Sequence, residues 1–213
     1  MKLPGLLSLI FGLLLFGCNH TSKSDQSKKK PPETTIAANP EKDRADIRNL
    51  IRQMLKWSDS KNLGELLPAL SKDSICTGFD FDKVDQNLEM LRQTGFFADE
   101  FIDNYNRIMH TLDKKIKNKE FDAWNVYELP TFNFANDVDP WCSCQDNMSW
   151  DNVDIKPNKL SNDKGELTWN WGKLDASVDS SWKSFSYKFS VVKVNNRWKV
   201  SYLEGFDYED SIK

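Results

Sequence analysis

The stretch WCSCQD, residues 141–146, places two thiols one residue apart beside a carboxylate. If it forms a strand, the Cα atoms of Cys142 and Cys144 are about 6.5–7 Å apart, at the far limit for a disulfide. Either cysteine could instead pair with Cys76, which would leave one thiol over. Unpaired structural thiols are the third alternative, and the Cys-x-x-Cys spacing typical of redox motifs is absent.

Metal binding is disfavoured by the small number of suitable ligands. A structural zinc site needs four ligands, and Cys76, Cys142 and Cys144 supply three. His20 lies in the N-terminal region, and the helical spacing around His110 turns that side chain toward water. An acidic run lacks the ordered spacing of a calcium loop; its members are Asp137, Asp139, Asp146, Asp151 and Asp154. We therefore expect neither a metal nor a cofactor.

Acid–base catalysis would depend on Asp146, the best single carboxylate for that role. An apolar pocket could tune the pKa of such a group. Without an inward-facing histidine, proton transfer would depend on carboxylates and tyrosines alone. The competing interpretation is that Gln145 and Asp146 only order a turn through hydrogen bonds to the backbone. We lean toward a protein that is not an enzyme.

The tryptophans offer a third kind of site. The chain has 8 of them, and Trp169 and Trp171 would share one face of a strand. Such a pair predicts either a core or an exposed platform on which a sugar could stack.

The N-terminal sequence predicts a targeting signal followed by a tether. Lys2 precedes an apolar run, residues 6–16, that is too short to span a bilayer. LFGCNH, residues 15–20, resembles a bacterial lipoprotein signal, which implies cleavage after residue 17 and acylation of Cys18. Residues 18–39 are rich in Lys, Ser, Thr and Pro, a composition typical of a disordered spacer.

This resemblance implies a lipid-anchored protein of the cell envelope. Asn19 favours the outer membrane over the inner one, and the face of that membrane stays open. Lys and Arg number 29 against 32 Asp and Glu, for a net charge of -3. Such a balance leaves no electrostatic footprint for nucleic acid.

The elements that would position these residues begin with helices. Asn39-Pro40 and the apolar spacing after it predict a helix over residues 40–60. A short helical turn is expected within residues 63–70. Asp82 could cap a second helix that ends at Gly95. The clearest stripe of apolar residues starts at Asp99 and predicts a third helix.

Strands follow these helices. Residues 167–171 alternate after a turn signal at residues 162–165. Residues 185–191 also alternate, Asn195-Asn196 predicts a two-residue hairpin turn, and Trp198, Val200 and Tyr202 run back. A break in the alternation predicts a β-bulge near Val191. The fold class is therefore α+β, a single domain over residues 40–210, with three or more N-terminal helices packed on a strongly curved antiparallel sheet.

The order of elements and the ending FSYKFSVVKVNNRWKVSYLEGFD resemble the cone-shaped fold of the nuclear-transport-factor-two-like superfamily. DPWCSCQD, residues 139–146, and RWKVSYLEG resemble bacterial lipoproteins of an uncharacterised domain family with this fold. The resemblance covers about residues 43–208. It implies a cone whose mouth would be lined by Trp141 and Trp150, which flank Gln145 and Asp146.

These observations predict a membrane-anchored binding module without catalytic activity, whose partner is a small ligand in the cone or a protein on the sheet. The first alternative is a periplasmic enzyme that uses Asp146. The second is a glycan-binding protein that uses a platform of Trp169 and Trp171. The candidate ligand-binding residues are Trp141, Gln145, Asp146, Trp150, Trp169 and Trp171.

Overall fold

The structure is a computed structural model, and it describes residues 40–60, 65–172 and 174–213. The predicted signal peptide, the tether and Cys18 lie outside the described residues. Within the described ranges, no helix combines the length and the apolar character needed to cross a membrane.

Three helices have the positions that their apolar spacing predicts. Helix α1 is Pro40–Asp59, α2 is Phe81–Thr94 and α3 is Asp99–Lys117. Asp80, rather than Asp82, caps α2, since its side chain accepts a hydrogen bond from the backbone N–H of Lys83. Gly95 ends α2 with a φ of 70°, a left-handed conformation that glycine adopts at low cost.

A small hairpin replaces the helical turn that we expected between α1 and α2. Strand β1 is Ala69–Lys72 and pairs with β2, Ile75–Phe79, in antiparallel register. Asp73 and Ser74 join the two strands with φ values of 52° and 67°. Two positive φ values in succession define a turn of type I′, and neither residue is the glycine that usually marks one.

The main sheet has four antiparallel strands in the order β3-β4-β5-β6. The sequence pattern predicted three of them: β4 is Lys164–Trp171, β5 is Tyr187–Val194 and β6 is Arg197–Leu203. It missed β3, Val153–Leu160, which pairs with β4 from Gly165 to Trp171.

The predicted bulge is present, and its extra residue lies on β6. Val191 pairs with Val200, whereas Ser190 pairs with Tyr202, so Ser201 has no partner on β5. Because one extra residue reverses the alternation, Leu203 is buried in place of Tyr202.

The core lies on one face of this sheet. Helix α1 contacts the edge strands β3 and β6, and α3 contacts β6 and the β2 strand of the small hairpin. Two short helices complete the described part: α4, Ser180–Ser184, lies between β4 and β5, and α5, Tyr208–Ser211, follows β6. Single 3-10 turns precede β3 and follow β6, at Trp150–Asn152 and Glu204–Phe206.

Candidate functional site

Cys142 and Cys144 form a disulfide with each other. The predicted pairing of Cys76 with Cys142 or Cys144 is therefore wrong. Cys76 is a free and buried thiol on β2, and this burial raises its pKa. A buried thiol of raised pKa stays protonated and unreactive.

The disulfide forms because residues 139–144 make a tight turn instead of a strand. The backbone N–H of Ser143 donates to the carbonyl of Asp139 at 2.7 Å, and Ser143 has a φ of 50°. This turn brings the two cysteine Cα atoms to 5.2 Å, well within disulfide range. Asp139-Pro140 is a sequence signal for a turn and could have indicated this geometry.

The base of this turn is fixed to the sheet. The Tyr187 hydroxyl donates to the carbonyl of Pro140 at 2.7 Å and accepts the backbone N–H of Gly205 at 2.9 Å. Complete burial raises the pKa of Tyr187 well above its ordinary value, so the hydroxyl keeps its proton. A Cβ on Gly205 would lie 2.1 Å from the Pro140 carbonyl oxygen, hence only glycine fits there.

Asp146 and Gln145 line neither of the two clefts described below, which are formed by described residues. Both residues are exposed, and the Gln145 amide donates to the carbonyl of Asp137 at 3.3 Å. The hypothesis that Asp146 acts in an apolar cavity is therefore wrong, since its carboxylate stays in water. The two residues continue the disulfide turn on the surface of the protein.

Trp150, Trp169 and Trp171 form one group of rings, here called the tryptophan cluster. Trp150 stacks on Trp171 with centroids 5.4 Å apart, and Trp169 meets Trp171 edge-on at 5.3 Å. Their exposed fractions are 7%, 0% and 4%, respectively. Of the two alternatives for Trp169 and Trp171, a place in the core is therefore confirmed and the exposed platform is wrong.

The tryptophan cluster contains three hydrogen-bond donors without an acceptor. The Nε1 atoms of Trp150, Trp169 and Trp171 are buried, and none has a partner within the described ranges. A buried donor that lacks a partner costs about 1–3 kcal/mol, and natural proteins contain few of them. These three are the buried side-chain donors without a partner among the residues that the structure describes.

Trp141 belongs to a different group of rings, contrary to the prediction that it and Trp150 share one pocket mouth. Trp141 contacts Trp57, Phe97, Phe101 and Phe206, with centroids 4.6–6.0 Å apart. It is 6% exposed and packs under the helices. Its role is to fix the disulfide turn to the core.

Two residues that the sequence pattern did not single out for a site cover the tryptophan cluster. Trp182 of α4 packs on Trp171 with centroids 5.6 Å apart, and Phe185 packs on Trp169 at 4.8 Å. Both are half-buried. No local sequence signal marks either residue as a cover.

A cleft of about 380 Å³ opens next to Phe185. Pro140 and Ser143 of the disulfide turn line one part of it, and Glu204 and Asp210 line another. A second, shallower groove of about 600 Å³ follows the β3–β4 turn, where Lys159, Lys164 and Glu166 contribute to its lining. Both volumes fall within the range of small-molecule sites, and the first cleft is the one that reaches the cover of the tryptophan cluster through Phe185.

Within the described ranges, no group of three or more His, Cys, Asp or Glu side chains is placed to hold a metal ion. Asp151 and Asp154 of the acidic run instead pair with Lys56 and Arg48 of α1, at 2.6 and 3.3 Å. The site with the clearest chemistry is therefore the tryptophan cluster with the adjoining cleft.

The chain is thus an α+β protein with an aromatic site at one end of its main sheet. Comparisons with protein-family models, curated proteins and solved structures found no match to it.

Proposed function

We propose that this chain is a lipid-anchored binding module of the bacterial cell envelope, without catalytic activity, that holds a small ligand at the tryptophan cluster. The basic start, the apolar run and Cys18 support the anchor. Acyl chains contribute about 0.8 kcal/mol per buried methylene, so several chains hold a protein on a membrane. Asn19 supports the outer membrane as its location.

We propose further that the domain has the cone-like fold of the nuclear-transport-factor-two-like superfamily. The contacts of α1 support this: the helix reaches both edge strands of the four-stranded sheet. Arg52 of α1 donates to the carbonyl of Val153 on β3 at 2.8 Å, and Asp43 accepts from Trp198 on β6 at 2.9 Å. A sheet that curls around α1 would bring both edges within reach of one helix.

The observation that carries the binding function is the set of three buried indole N–H groups without acceptors. In a site that binds a ligand, the ligand supplies the missing acceptor, so the penalty in the free protein becomes binding energy. The aromatic walls would supply most of the contact area, as in typical small-molecule sites.

Thermal unfolding of the full chain, purified in a mild detergent, tests the binding function. The panel contains sugars, bile acids, lipids, peptidoglycan fragments and metal ions. A ligand at 100 times its Kd adds about 2.7 kcal/mol, which raises the Tm by about 5 °C or more. We expect Trp171→Phe to reduce this shift and Trp124→Phe, which lies elsewhere, to leave it unchanged.

Equal loss of the shift in both variants would contradict the location of the site. A panel in which no compound raises the Tm would contradict small-molecule binding and direct the search to a protein partner.

Labelling with radioactive palmitate tests the anchor separately. The chain produced in a bacterial host should incorporate the label and sediment with membranes, whereas Cys18→Ser should lose the label. Label that persists in the variant would show that Cys18 is not the acylated residue.

A further inference from the structure

The segment over the tryptophan cluster, residues 174–186, is bound to the protein in an unusual way; it is called here the α4 segment. Its hydrogen bonds are internal: Asp179 accepts from the Ser181 N–H, Lys183 donates to the Ala176 carbonyl, and Ser184 donates to the Ser181 carbonyl. No hydrogen bond links it to other residues that the structure describes.

Apolar side chains alone hold the α4 segment in place. Leu174, Trp182 and Phe185 pack against the core, and no residue of α4 itself is buried. Segments with few buried contacts and no hydrogen bonds to their surroundings open at low free-energy cost. The α4 segment therefore has the properties of a movable cover.

Phe185 stands between the cleft and the indole rings. It lines the cleft of about 380 Å³ and contacts both Trp169, at 4.8 Å, and Trp171, at 6.1 Å. Movement of the α4 segment would therefore connect the cleft with the rings of Trp169 and Trp171, which in turn contact Trp150.

The charges around this path favour a neutral ligand. Glu204 and Asp210 line the cleft and would repel an anion. The cation–ring contacts in the described part of the chain lie at Tyr208, Phe121 and Trp198, and none of them involves a ring of the tryptophan cluster. A buried anion without a positive partner is strongly disfavoured, and three N–H donors would repel a cation.

We infer that the tryptophan cluster binds a neutral, largely apolar molecule through a carbonyl or similar oxygen, and that the molecule enters from the cleft when the α4 segment moves. This inference rests on the proposed function and specifies its ligand class and entry route. The oxygen accepts hydrogen bonds from the indole N–H groups, and the rings of Trp182 and Phe185 close over the apolar part.

The test of ligand class uses four probes of similar size and the full chain labelled with ¹⁵N-tryptophan. Acetophenone carries a neutral carbonyl, ethylbenzene has no acceptor, benzoate is an anion and phenyltrimethylammonium is a cation. Each indole N–H gives its own NMR signal, and single Trp→Phe variants assign those of Trp150, Trp169 and Trp171. We expect acetophenone to move these signals downfield, as hydrogen bonding does, and the Trp198 signal to stay in place.

Ethylbenzene or a charged probe that shifts the same signals as strongly as acetophenone would overturn the ligand class and leave the binding site standing. If acetophenone moves none of the three signals, the inference is overturned. The thermal panel then tests the proposed function separately. That function fails only if no compound in the panel raises the Tm.

Exchange of the indole protons with D₂O tests the cover without any ligand. Trp182→Ala should accelerate exchange at Trp169 and Trp171 by about tenfold or more, the factor for about 1.4 kcal/mol of lost contact. The control is Trp57→Ala, which removes a half-buried ring from the other aromatic group and should leave these rates unchanged. Equal rates in the wild-type chain and Trp182→Ala would overturn the role of the α4 segment.

Discussion

Five of the six buried tryptophans in the described part of this protein fall into two groups that differ in whether the indole N–H has an acceptor. Trp124 donates to the Glu128 carbonyl at 3.1 Å, and Trp198 donates to the Asp43 carboxylate at 2.9 Å. The tryptophan cluster has no such acceptors among the residues that the structure describes, although Trp124, Trp198 and Trp150 have the same exposed fraction of 7%. Degree of burial therefore does not explain the difference: Trp124 and Trp198 each lie beside an oxygen atom that accepts the N–H, whereas no described acceptor lies within reach of the tryptophan cluster.

The hydrogen-bonded residues around Trp198, here called the paired region, are Asp43, Lys193 and Trp198. Asp43 lies at their centre, in the first turn of α1. Its carboxylate accepts from Trp198 on β6 and, at 2.8 Å, from Lys193 on β5. Burial by itself would raise the pKa of Asp43, but hydrogen bonds from Lys193 and Trp198 outweigh burial and hold the pKa below its ordinary value. One carboxylate thus joins a helix to two strands and satisfies two donors.

Among the variants considered, the largest loss of stability is expected from Asp43→Ala. The change leaves the Lys193 ammonium and the Trp198 N–H without their acceptor in a mostly buried place. Removal of one partner from a buried charge pair costs about 3–5 kcal/mol. We expect a loss near the lower limit in the free energy of urea unfolding, because the Lys193 side chain is 20% exposed.

Glu166→Ala is the matched control for this experiment. Glu166 also pairs with a lysine, Lys159, at 3.2 Å, but both side chains are exposed. Exposed pairs contribute about 0–1 kcal/mol, so the control should unfold almost as the wild-type chain does. Equal losses in the two variants would show that the Asp43 network does not stabilise the fold.

The two groups of tryptophans are compared most directly by the same substitution, Trp→Phe, at one position of each group. Trp198→Phe removes a donor that is bonded to a charged group, a bond that contributes about 1.5–3 kcal/mol. Trp171→Phe removes a donor whose unpaired state costs about 1–3 kcal/mol, which offsets the loss of packing. We expect urea unfolding to show a loss of about 2 kcal/mol for Trp198→Phe and about zero for Trp171→Phe.

The two positions are well matched, with exposed fractions of 7% and 4%. If Trp171→Phe destabilises the chain as much as Trp198→Phe does, the unpaired N–H groups carry no penalty. The argument for a ligand at the tryptophan cluster would then lose its main support.

Part of this architecture was predictable because local patterns determine it. The stripe of α3 and the Asn195-Asn196 turn of β5–β6 both depend on residues close together in the chain. Strand β3 escaped prediction because only Val153 and Ile155 alternate into the core, and Pro157 interrupts the pattern. The β1–β2 turn escaped because Asp73-Ser74 resembles no common hairpin signal.

The site was less predictable for a different physical reason. Side-chain spacing on a strand correctly placed Trp169 and Trp171 on one face, but which face is buried depends on distant helices. Whether an indole N–H finds an acceptor depends on groups far away in sequence: Asp43 and Trp198 are 155 residues apart. The disulfide was missed because residues 141–144 were treated as a strand.

The pH dependence of stability distinguishes the paired region from the rest of the protein. Because the pKa of Asp43 is lower in the folded state than in the unfolded state, the charged network stabilises the fold above the unfolded value of about 3.9. This stabilisation is lost as the pH falls through the folded pKa. In a urea series from pH 7 to pH 2, we expect the difference between the wild-type chain and Asp43→Asn to shrink below about pH 4. A difference that stays constant over this range would contradict the network.

The smallest effect is expected from Asp146→Asn, which makes the same chemical change as Asp43→Asn at an exposed position. Exposed substitutions away from special features change stability by less than about 0.5 kcal/mol. The Asp146 carboxylate lies in water after the disulfide turn, so ligand-induced shifts in Tm should also persist in the variant. If Asp146→Asn abolishes those shifts while the fold keeps its stability, the ligand contacts the Gln145-Asp146 loop, and the site extends from the tryptophan cluster to the surface beyond the disulfide.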